Sequence, residues 1–104
     1  MTTAAIVATH IRQELNEDYV GLWALPWRIR RAWPSATNDQ VQSCAESVLE
    51  ALLATGATLG TLDEASGTFS PWPQSTGLRD VMRAWRALGR DPNIGEIAWL
   101  ADLG

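Results

Sequence analysis

The chain has 104 residues, 46% of them apolar, with 12 acidic against 8 basic side chains and a formal net charge of −4. That length and apolar content describe one domain, residues 1–104, with a buried core, and they exclude a disordered chain. The acidic balance argues against sequence-independent nucleic-acid binding, in which neutralisation of phosphate supplies the affinity.

In chain order, the first segment reads as a helix. Ala4, Val7, Ala8, Ile11 and Leu15 recur on one helical face, with Thr2 or Thr3 as cap. Nothing basic precedes this apolar run, and Thr9 and His10 interrupt it, so it does not read as a signal peptide. Tyr19-Val20 is expected to be a short extended piece. A second helix then runs from about Leu22 or Leu25 to Ala32, with Pro26 tolerated only in its first turn and Pro34 beyond its end. Arg28, Arg30 and Arg31 suit the negative C-terminal end of that helix.

The third helix is the clearest. Thr37-Asn38-Asp39-Gln40 has the form of a capping box. Val41, Ala45, Val48, Leu49 and Leu52 follow on one face, and Gly56 supplies the stop. Ala57–Leu62 and Thr68–Trp72 then read as the arms of a β-hairpin around Asp63–Gly67, with Pro71 confining the second arm to an edge. After a loop over 73–76, Ser75 or Thr76 should cap a helix carrying Leu78, Val81, Met82, Trp85 and Leu88, ended by Gly89. Asp91-Pro92-Asn93 should open a last helical turn, Ile94 to Leu100. No linker or repeat divides the chain, and no stretch reaches the roughly 20 apolar residues of a membrane span.

The expected fold is therefore mainly α with one β-hairpin, in winged-helix order (helix, helix, helix, hairpin, helix); the alternative is a small helical bundle. Leu22-Trp23-Ala24-Leu25, the helix end Leu52-Leu53-Ala54-Thr55-Gly56 and the tail Trp85–Leu100 resemble a group of short, functionally uncharacterised proteins of GC-rich bacteria. All eight basic residues being arginine agrees with such a genome. The resemblance implies a compact winged-helix-like fold. It brings no activity and no functional residues with it.

Chemistry-bearing residues are few. One histidine, His10, and one cysteine, Cys44, would have to meet in space to form a nucleophilic pair. They read instead as a surface histidine and a half-buried thiol, and a lone cysteine fits a reducing, cytoplasmic setting. No metal-ligand spacing and no phosphate-binding glycine loop is present, so neither metal nor cofactor is expected. Glu46 and Glu50 form an i,i+4 pair that reads as solvated helix face. Arg79, Arg83, Arg86 and Arg90 recur along one stripe of the fourth helix, with Asp80 outside it. Such a stripe would dock an acidic protein or a phosphate backbone; otherwise it is an ordinary polar face.

Six tryptophans are present. Trp23, Trp27, Trp85 and Trp99 sit in apolar stretches and are expected largely inside, and Trp33 and Trp72 beside prolines are expected outside. Pro71-Trp72-Pro73 would hold a ring rigidly for a partner. The third helix has no basic residue and the hairpin tip carries Asp63 and Glu64, the wrong sign for the usual DNA contacts of a winged helix. The expected function is thus a non-enzymatic protein-binding module of inhibitor, immunity or adaptor type, using Arg79, Arg83, Arg86, Arg90 and Trp72. The alternative is a winged-helix DNA-binding regulator that uses the arginine stripe. Another protein is the expected partner, nucleic acid is disfavoured, and a homodimer is compatible.

Overall fold

The computed structural model describes residues 2–73 and 76–103. Among these residues the order is α1 (Thr3–Leu15), β1 (Val20–Gly21), α2 (Ala24–Ala32), α3 (Asn38–Ala54), β2 (Ala57–Asp63), β3 (Thr68–Pro71), α4 (Leu78–Leu88) and β4 (Trp99–Asp102). About half of the chain is helical, and the strands form one antiparallel sheet in the order β1-β4-β2-β3. The architecture is mixed α and β. This corrects the expectation of a mainly α chain with one hairpin, because the hairpin is part of a four-stranded sheet.

The helix ends follow their local chemistry. Thr2 caps α1, its hydroxyl accepting from the Ala5 amide at 3.1 Å. At α3 the Thr37 hydroxyl accepts from the Gln40 amide, and the Gln40 side chain accepts from the Thr37 amide, the reciprocal box that satisfies two orphan donors. Pro26 occupies the third position of α2, where a missing N–H costs nothing. The start of α4 differs from expectation. Gly77 is the cap and the Asp80 carboxylate reaches back to its amide at 3.1 Å; Thr76 does not cap, and Ser75 lies outside the described residues. Gly89, at φ 69°, closes α4 in the left-handed conformation that glycine adopts without steric cost.

The larger correction is at the C-terminus. The segment expected as a helical turn from Ile94 to Leu100 instead delivers β4, which lies between β1 and β2. Val20 pairs with Leu100, and Leu59 pairs with the same residue from the other side. Leu100 and Ala101 are fully buried there. The short apolar run from Ile97 to Ala101 has no period of its own, so tertiary pairing decides its conformation.

One core joins the layers. Val7, Ile11, Leu25, Ile29, Val41, Val48, Leu49 and Trp85 are all sealed from solvent. Arg12 ties the layers at one edge. Its guanidinium donates to the last-turn carbonyl of Leu52 at 3.2 Å and to the Thr55 hydroxyl at 2.6 Å, where the dipole of α3 favours a cation, and it lies 3.6 Å from Asp102 of β4.

Candidate functional site

Helix α2 buries Ala24, Leu25, Pro26 and Ile29. Trp27 stands two residues from both Leu25 and Ile29, and at 3.6 residues per turn it must point away from them. It is 45% exposed, which reverses the expectation that it lies inside. The Arg31 guanidinium stacks 4.3 Å from its ring centroid and that of Arg28 lies at 5.3 Å. Trp23, one turn earlier, meets it edge-on with centroids 6.4 Å apart. The Trp23 indole rests on Gly21, where any Cβ would come within 2.6 Å of it. A glycine is required there for close approach.

Ile94 completes the patch from the far end of the chain and is 67% exposed. The connection that carries it is braced at several points. Arg90 grips the Glu96 carboxylate with two hydrogen bonds of 2.6 and 2.9 Å, and the Asn93 amide donates to the same carboxylate at 2.7 Å. Arg90 first, and then the Asn93 amide, hold the Glu96 carboxyl down at about 2. Arg30 of α2 donates twice to Asp91, at 2.8 and 3.2 Å, and so fixes the connection to the helix that carries Trp27. Ile97 has φ 67°, a conformation that a β-branched residue disfavours by roughly 1–2 kcal/mol. The contacts around it hold it there: Ala98 donates to Glu96 at 2.8 Å, and Leu22 donates to Ala98 at 3.1 Å.

Trp23, Trp27 and Ile94 together wall two clefts. One, of about 410 Å³, continues along Arg30, Arg31, Asp91 and Pro92. The other, of about 360 Å³, continues along Glu14, Glu17, Asp18, Tyr19 and Arg28. The site is therefore a rigid apolar ridge with a groove on each side. Exposed Ile6 and Leu103 wall neither groove.

Comparisons with protein-family models, with curated proteins and with solved structures found no match.

The residues singled out in the sequence are dispersed. Arg79, Arg83 and Arg86 are exposed on α4 and take part in no ion pair among the described residues; Asp80, three residues before Arg83, is turned to the Gly77 amide. Arg90 lies beyond α4 and is engaged by Glu96. Trp72 is half-buried against the core, its amide donating to the Leu59 carbonyl and its indole N–H to the Thr61 hydroxyl, each at 2.9 Å. Trp33 is likewise only half-exposed, as are Trp23 and Trp99, and Trp85 is sealed.

Cys44 borders a shallow groove with Trp33, Asp39, Gln40, Ser43 and Ser47, and His10 is an exposed residue of α1 that does not line it. Burial pushes the Cys44 thiol up, away from the reactive thiolate. Glu46 is half-buried and Glu50 exposed on α3. At the hairpin tip the Ser66 side chain first, and then the Ala65 and Ser66 amides that donate to Asp63, hold its carboxyl below the usual range. That tip carries fixed negative charge. Among the described residues, no group of three or more His, Cys, Asp or Glu is placed to hold a metal ion, and no helix is long and apolar enough to cross a membrane.

The sequence reading missed Trp27 and Ile94. A signal for Trp27 was present, since it lies opposite Leu25 and Ile29 on the helix and is flanked by arginines. Ile94 gave none, because its exposure depends on where Arg30 and Glu96 hold the connection.

Proposed function

We propose that this chain is a non-enzymatic protein-recognition module whose contact surface is the Trp27–Ile94 ridge. The observation that carries the reading is the exposure of these two large apolar side chains on one braced surface, with Arg31 stacked on the tryptophan. Tryptophan and arginine dominate binding hot spots, because each buries much area and desolvates a strong contact. Surface held rigid before binding loses less entropy on association. Its half-buried position and raised pKa make Cys44 a poor nucleophile, and a lone cysteine suits the reducing, cytoplasmic setting that goes with this reading. The chain order α1-β1-α2-α3-β2-β3 supports a winged-helix reading, in which β4 takes the place between β1 and the hairpin.

A second reading, a DNA-binding regulator, is favoured by Arg79, Arg83 and Arg86, which are exposed and outside any ion pair among the described residues. The fixed charge of Asp63 at the hairpin tip opposes it.

The deciding experiment is affinity capture by the tagged chain, with and without nuclease, from an extract of the cells that make it. Wild type is compared with Ile94→Asp, Trp27→Ser and Arg83→Glu/Arg86→Glu. A protein held by wild type and lost about tenfold or more with either ridge variant supports the module, tenfold being about 1.4 kcal/mol. Capture unchanged in both ridge variants overturns it. Binding abolished by nuclease and by the arginine variant would establish the second reading.

A further inference from the structure

We propose that the Trp27–Ile94 ridge takes a second copy of this chain, packed about a two-fold axis that runs along the ridge. The inference rests on the recognition reading above and names the partner. Its warrant is the charge on the two flanks. On one side Arg30 is neutralised by Asp91, which leaves Arg31 as a cation in no ion pair among the described residues. On the other side Arg28 is neutralised by Glu14, which leaves Glu17 and Asp18 as exposed anions in no ion pair among the described residues. The apolar ridge thus separates a basic groove from an acidic one.

A two-fold rotation about the ridge line exchanges the grooves. The basic groove of each copy then faces the acidic groove of its partner, and every charge contact occurs twice. Arg31 meets Glu17 and Asp18 while the apolar side chains of the two ridges cover one another. An unrelated partner would need an apolar stripe with an acid on one side and a base on the other. This chain already presents that pattern, with the correct hand of charge for itself. Opposite charges at the rim set register and orientation more than they set affinity, and the apolar ridge supplies the burial.

Sedimentation equilibrium tests the arrangement with charge-reversed variants whose fold is checked by circular dichroism. Wild type should form a dimer, and Ile94→Asp should shift it to monomer. Arg31→Glu alone and Glu17→Arg/Asp18→Arg alone should each dimerise about tenfold or more weakly, a loss of about 1.4 kcal/mol. Mixed one to one, these two variants should recover dimer, since the reversed pair is attractive in one contact and the wild-type pair is intact in the other. Only a two-fold arrangement with these partners restores both contacts at once. Wild type that stays monomeric up to about 1 mM, at the weak end of measurable affinity, overturns the proposal, as does a mixture no more associated than its components. If wild type is monomeric but Ile94→Asp loses a captured heterologous protein, the second copy is wrong and the recognition reading stands. If Ile94→Asp alters neither property, both fall.

Discussion

Glu96 shows how one side chain fixes a surface it does not belong to. Its carboxylate closes the connection on which Ile94 is displayed, and Arg90 and the Asn93 amide hold its pKa at about 2, below the ordinary 4.5. A depressed carboxyl pKa stabilises the folded form above the unfolded value, and that contribution is lost as pH falls from about 4.5 through about 2. A carbon-detected NMR titration should therefore place the Glu96 midpoint near 2 in the native chain and return it toward 4.5 in Arg90→Ala. A midpoint near 4.5 in the native chain would remove the clamp. The helical stripe carried Arg90 past the Gly89 stop that the sequence itself supplies, and spacing cannot show what an arginine beyond that stop will meet. There the arginine faces Glu96, not the solvent flank of α4.

The helices and the hairpin were legible wherever their ends carry their own instructions. Thr37 and Gln40 satisfy each other's amides whatever lies beyond them, so α3 starts where the sequence says it should. Thr37→Ala should cost about 1 kcal/mol, as capping threonines typically do. Thr76→Ala should be close to neutral, since Asp80 serves the Gly77 amide there. Urea unfolding midpoints of the two variants check the contrast, and equal losses would contradict the cap assignments. The strand β4 was not legible. Ile97, Trp99 and Leu100 fit a helical turn as well as a strand, and the pairing partners Val20 and Leu59 lie far away in sequence.

Among the described residues Trp85 is the largest side chain that the fold buries completely. It is fully buried and its indole N–H has no hydrogen-bond partner among the described residues. Trp85→Ala should cost about 3–5 kcal/mol through the cavity it leaves, a large share of a stability of about 5–15 kcal/mol. Trp85→Phe should cost clearly less, because it keeps an aromatic ring and gives up an N–H that has no partner among the described residues. Equal losses in denaturant titrations would show that the N–H is satisfied in solution. The amphipathic pattern of α4 identified Trp85 as core. The same kind of pattern did not sort the other tryptophans, because exposure on one helix depends on what its neighbours cover.

Local signals were enough for α1, α3, α4 and the hairpin, for the buried faces of those helices, and for the acidic character of α3 and the hairpin tip. These properties come from spacing, capping chemistry and charge, all of which act within a few residues. Assembly of the chain was needed to make residues 99–102 complete a sheet, to bring Trp27 and Ile94 onto one ridge, and to turn Arg90 to Glu96. The first two depend on groups distant in sequence, Val20 beside Leu100 and Arg30 beside Asp91, and the third on how the connection after α4 folds back on itself. Burial and pairing are properties of the assembled chain: a local pattern can set Trp27 opposite Leu25 and Ile29, but it cannot bring Ile94 beside it.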